Sequence, residues 1–206
     1  MKVDFVYSAP YDSSFYRARF GHYTRDPSVK PFDRELSKTQ AFGFTRKLYE
    51  IWEPKERAVI EGIERATGLP WKDDAVTCFV VNYAVNGFGY PLTLTTHEGK
   101  TEPSRAVLTL VHELAHVNLM YEGPGRLRDY WKTFHERYAG EDVMTRNHIP
   151  VHAALAIVLP QTFGEDALVS LKSRDAKDPP YKRAWEIVDN EGAENILKEL
   201  KDWIKK

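Results

Sequence analysis

The segment His112-Glu113-Leu114-Ala115-His116 constrains this chain more than any other. Residues four apart in an α-helix lie one turn above each other on one face, so two imidazoles there can grip one Zn²⁺ from the same side. Glu113 stands beside them, placed to take a proton from a water activated at the metal. The flanks supply the helix. Val107, Leu108, Leu110, Val111, Leu114, Ala115 and Leu119 recur at three- and four-residue intervals, the pattern of a helix buried on most of its surface. Thr101 or Ser104 is a candidate cap, Glu102 suits the N-terminal end, Pro103 is tolerated in the first turn, and Gly123-Pro124-Gly125 stops the helix. A surface helix with two stray histidines is the bland alternative. It would leave three polar groups on a mostly apolar helix, at a cost that a shared ligand removes.

On these residues the chain resembles a zincin metallopeptidase. The match covers the H-E-L-A-H helix and, more loosely, the strand before it and the helix after it. The resemblance implies a zincin-like fold, a zinc cofactor and hydrolysis of peptide bonds. The extended metzincin pattern is absent: His116 is followed by Val117-Asn118-Leu119-Met120-Tyr121-Glu122, without an early glycine or a third histidine. The resemblance is therefore to gluzincin-like or minimal zincins, whose third ligand comes from further on.

The place to look is residues 147–159, Asn147-His148-Ile149-Pro150-Val151-His152 and the apolar run after it. It reads as a helix with Asn147 as cap, Pro150 in the first turn and Pro160 at the end. Gluzincins place a ligand on such a helix, with a residue four later that hydrogen-bonds the metal shell. By that analogy His148 binds metal, and His152 orients a ligand or stabilises the oxyanion. The swapped assignment stays open. Gluzincins use glutamate where this chain offers histidine, and a three-histidine set suits catalytic zinc with an open fourth position. Acidic rivals are Glu122, Asp129, Glu136, Glu141 and Asp142, each read first as a solvated charge. Arg146 and Tyr130 are further oxyanion candidates. His97 and His135 read as loop and half-buried surface histidines, and His22 has no assigned role.

Elsewhere the chain alternates at Val3, Phe5 and Tyr7, a candidate strand. Residues 1–33 read as a partly irregular N-terminal arm. Residues 34–67 read as two helices, the second started by Pro54. Residues 76–83 form a buried strand. Tyr90-Pro91-Leu92-Thr93-Leu94-Thr95-Thr96 alternates and reads as an edge strand just before the motif helix, where zincins add an extended substrate by backbone pairing. Asn86-Gly87-Phe88-Gly89 is a turn that would shape the cleft rim. Residues 126–138 and 181–204 are amphipathic helices. The fold class is α+β: one mostly helical, zincin-like domain over residues 1–206, with a small sheet.

Composition narrows the function. A formal net charge of −1 gives no electrostatic case for nucleic acid or an acidic membrane surface. The longest apolar run, Ala153 to Leu159, is too short to span a bilayer, and Met1 to Tyr7 does not read as a signal peptide because Asp4 breaks it. The single cysteine, Cys78, excludes an internal disulfide and sits in an apolar strand as an inert thiol. A cytoplasmic location follows as the default. The expected function is a zinc-dependent metallopeptidase acting on a peptide or protein substrate, with Glu113 as general base. The alternative is a non-catalytic zincin scaffold for recognition or regulation, holding its metal as a staple in a closed site.

Overall fold

Asp12 has no exposed surface, and it organises the region around the sheet. Its Oδ1 accepts the backbone amides of Asn82 at 2.8 Å and Tyr83 at 3.1 Å. Its Oδ2 accepts the Ser37 hydroxyl at 2.5 Å and the Asn82 side-chain amide at 3.2 Å. Asn82 in turn accepts the Thr96 hydroxyl on its side-chain oxygen. A buried carboxylate is tolerated only when its oxygens are saturated in this way.

The protein is described here by a computed structural model over residues 1–20, 30–120 and 126–205. In chain order the elements are β1 Lys2–Val6, α1 Ala9–Phe20, α2 Arg34–Thr67, β2 Ala75–Val81, β3 Phe88–Gly89, β4 Leu92–Thr95, α3 Pro103–Leu119, α4 Arg126–Arg137, α5 Val143–Phe163, α6 Glu165–Asp175, α7 Pro179–Glu191 and α8 Ala193–Ile204. The architecture is mostly helical with one small mixed sheet, as the α+β reading expects. Two compact units share the chain, residues 1–56 with 74–113 and residues 57–73 with 114–206, and α2 and α3 each run unbroken from one into the other.

The first unit carries the sheet, in order β1-β2-β4-β3. β1 and β4 both run parallel to β2, with Val3 opposite Val76 and Leu94 opposite Val80. Parallel pairing of β1 with β2 needs a crossover, which α1 and α2 supply. β4 is therefore not the edge strand expected from its alternation. It pairs with β2 on one side and antiparallel with β3 on the other, and all four of its residues are buried. The two-residue β3, folded back from the Asn86-Gly87 turn, forms the edge instead. Within residues 1–33, β1 and α1 are regular, residues 30–33 carry no regular element, and residues 21–29 lie outside the described residues.

Pro54 does not divide α2, which runs through as one 34-residue helix. Proline inside a helix costs about 3 kcal/mol. Burial of Ala41, Phe44, Leu48 and Trp52 before it and Val59, Ile60 and Ile63 after it offsets that cost. Leu36 and Phe42 lie off this stripe and are exposed.

The second unit is built on α5, which packs against α6, α7 and α8. It is apolar on nearly every side, the signature of a central helix. Its start is not Asn147: Asp142 caps it, accepting the Thr145 amide at 3.0 Å and the Thr145 hydroxyl at 2.5 Å. Pro150 and Pro160 both lie inside, and Gly164, at φ 87°, ends it. The expected helix over 181–204 is two, broken at Gly192, where φ is 84° and a side chain would be strained. Among the described residues no helix is long and apolar enough to cross a membrane.

Asp12→Ala strands at least the Asn82 and Tyr83 amides and the Ser37 hydroxyl in the interior. At about 1–3 kcal/mol for each lost partner, the variant is expected to lose roughly 3 kcal/mol or more in urea unfolding. A loss under about 1 kcal/mol would show that the network does not hold the sheet.

Candidate metal centre

α3 begins at Pro103, with the Glu102 carbonyl accepting the amides of Arg105 and Ala106. Glu102 thus takes the cap position expected of Thr101 or Ser104, and Pro103, whose missing N–H costs nothing there, starts the helix. The expected stop at residues 123–125 lies outside the described residues; the described helix ends at Leu119. Val107, Leu110, Val111, Leu114 and Ala115 are fully buried, and the motif polar groups go inside with them: His112 is 3 % exposed and Glu113 9 %. Asn118 pins the C-terminal turn, accepting the Thr67 hydroxyl at 2.7 Å and donating to the Leu69 carbonyl at 3.0 Å.

His116 meets His148 across from α5. Their Nε2 atoms are 3.2 Å apart, with the rings edge to face at 4.8 Å and 81°. His148 donates its Nδ1–H to the Met144 carbonyl at 2.7 Å, which turns the Nε2 lone pair toward His116. This second hydrogen bond is the usual device that fixes the tautomer of a metal-ligating histidine. Among the described residues, the ligand atoms of His112, His116 and His148 lie within 4.8 Å of one another, and so do those of His112, His152 and Asp175. His148, not His152, thus falls in one group with both motif histidines.

The donor set fits a divalent metal. Two nitrogens on one tetrahedral zinc at about 2.0–2.1 Å stand roughly 3.3 Å apart. The His116–His148 spacing of 3.2 Å is close to that. A metal ion needs neutral imidazoles, and burial favours that form. Desolvation, then the neighbouring His148, pushes the His116 pKa down to about 3. Burial also lowers His148, and lowers His152 well below its ordinary value.

Glu113 lies beside the turn before β3. A Cβ at Gly87 would stand 2.8 Å from Thr109 Cγ2 and 3.3 Å from Glu113 Oε1, so only glycine lets the backbone pass this close. His152 is fully buried, its ring stacked on Trp185 at 4.1 Å and 12°. Tyr181 packs its ring 4.2 Å from that of His148. The sequence singles out none of Asp175, Tyr181 and Trp185 as site residues: Tyr181 and Trp185 fall in a stretch that reads as an ordinary amphipathic helix, and Asp175 in one with no motif, where nothing separates a buried acid from a solvated one.

The rivals have other occupations. Asp142 caps α5, and Glu141 pairs with Arg183 at 2.7 Å. Asp129 and Glu136 are exposed on α4, and Glu122 lies outside the described residues, as does His22. Arg146 donates to the His135 carbonyl at 3.3 Å. Tyr130 is buried against Phe134 and Trp203. His97 and His135 are both half-buried, and His97 has a positive φ of 46°. Cys78 is fully buried and its thiol pKa is pushed up by desolvation, as expected of an inert thiol. Comparison with family profiles, with curated proteins and with solved structures found no match.

Acid should destabilise the metal-free protein. An unfolded histidine takes a proton near pH 6.5, whereas folded His116 takes one only near pH 3. Between these values the unfolded chain holds the extra proton, so stability is complete above pH 6.5 and falls as pH drops toward 3. Denaturant unfolding of chelator-treated protein at several pH values should show this slope, and His116→Gln should make it shallower. An identical slope in the variant would remove His116 from the acid response.

Proposed function

We propose that this chain is a zinc-dependent hydrolase, most simply a metallopeptidase of the gluzincin-like or minimal zincin kind. The observation that carries the reading is the convergence of His112, His116 and His148 beside a buried Glu113. His112, His116 and His148 would hold the ion. Bound there, zinc would supply a Lewis acid and a water acidic enough to lose its proton near neutral pH.

The chain's own residues do the rest. Glu113 takes the proton from the attacking water as its oxygen bonds to the substrate carbonyl carbon, then gives that proton to the leaving amine as the carbon–nitrogen bond breaks. Gly87, lacking a side chain, leaves the space beside this carboxylate clear. The sheet has edges at β1 and β3, and β3, which pairs with β4 next to the motif helix in the chain, is the edge proposed for an extended substrate. Glu113 favours catalysis over a structural staple, because a structural site needs no acid between its ligands.

Glu113→Gln should retain the metal and the fold and abolish hydrolysis, because the near-isosteric amide accepts no proton. Turnover of a peptide library by wild type and variant, with zinc content measured on both, tests this. Equal turnover in the two would remove Glu113 as the base. A second expectation separates the α5 histidines. His148→Ala should cost zinc affinity heavily, while His152→Ala should cost the smaller, about 10–100-fold loss of a neighbouring group. Zinc titration that reverses this order would swap their roles.

A further inference from the structure

We infer that Asp175 is a positioning residue for the metal centre, acting through His152 and held in place by Trp185. The inference rests on the reading of His112, His116 and His148 as zinc ligands. His152 lies one helical turn beyond His148 on α5, and the two rings stand 5.5 Å apart. Groups from α5, α6 and α7 meet at His152. The Trp185 indole stacks on the imidazole at 4.1 Å and 12°, which sets the plane of the ring. Asp175 lies along its edge, with Oδ2 3.8 Å from His152 Nε2, beyond direct hydrogen-bond range but close enough for its charge to act on the ring. The same Oδ2 accepts the Trp185 Nε1–H at 3.0 Å, so one indole aligns both the ring and the carboxylate. Asp175 Oδ1 accepts Arg174 Nε–H at 3.1 Å, which supplies an opposite charge to the buried acid.

Core packing does not account for this arrangement. His152, Trp185 and Asp175 are 0 %, 4 % and 5 % exposed, and a histidine, an indole N–H and a carboxylate all lose hydration there. Apolar side chains of the same volume would fill the space at lower cost. The arrangement makes sense if the orientation of His152 matters to its neighbour. A carboxylate charge beside an imidazole next to a metal site favours one tautomer and ring position, and groups that support a metal shell typically contribute about 10–100-fold in metal affinity or activity.

The test uses the full chain, stripped with a chelator and titrated with Zn²⁺ against a chromophoric competitor, and separately loaded with Co²⁺ for its visible spectrum. Asp175→Asn keeps an acceptor for Trp185 but loses the charge. It should lower zinc affinity about 10–100-fold and shift the cobalt bands, with far-ultraviolet circular dichroism unchanged. Wild-type affinity together with an unshifted cobalt spectrum would overturn the inference. Complete loss of zinc would overturn it too, by making Asp175 a ligand. If Asp175→Asn does not fold, Trp185→Phe decides: it keeps the stack, removes the N–H, and should shift both readouts in the same direction, while no change in either overturns the inference. Wild type that takes up no stoichiometric zinc refutes the metal reading itself, whereas a normal wild type with an unaffected Asp175→Asn refutes only the role of Asp175.

Discussion

The contact on which the centre depends is between two nitrogens, Nε2 of His116 and Nε2 of His148, at 3.2 Å. Burial lowers the pKa of both rings, and two charged rings at that separation would repel, so the neutral forms with available lone pairs are favoured. His148 is committed further by its bond to the Met144 carbonyl, which leaves one nitrogen facing His116. Burying polar rings costs free energy that α3 and α5 recover through their apolar faces. The same apolar surroundings that drive these helices into the interior make the imidazoles suitable for a metal.

Positioning follows from local devices. Asn118 ties the last turn of α3 to the Thr67–Leu69 corner, so His116 sits on an anchored turn. Asp142 starts α5 one turn before Asn147, which places His148 in the second turn and not at a frayed end. In the sheet unit, Asp12 joins α1, α2 and the C-terminal end of β2 through one carboxylate. That network lies beyond β2, in the part of the chain that leads through Asn86 and Gly87 toward Glu113. The absence of a side chain at Gly87 leaves space open beside the glutamate.

The motif helix was legible from sequence because two independent signals agreed there: three chemically special residues at helical spacing, and apolar residues at the same period around them. The same period identified α4, and β-branched residues identified β2. Local signals were misread where burial outweighed them. Pro54, Pro150 and Pro160 look like helix boundaries, yet all three lie inside helices whose packing offsets the lost hydrogen bonds. The alternation of Leu92 to Thr95 looks like a half-exposed edge, yet β3 folds back along it and both faces are covered.

What the sequence determined by itself is the chemistry available: two histidines one turn apart, a glutamate between them, and a second pair of histidines on an apolar helix. Helical periodicity is a property of neighbours along the chain, so spacing alone reveals it. The tertiary structure alone decided which distant groups meet. It set His148 against His116, brought Asp175 and Trp185 to His152, and placed β4 inside the sheet, with β1 and β3 at its edges. Such pairings depend on how helices and strands pack in three dimensions, and no spacing within a single element encodes them.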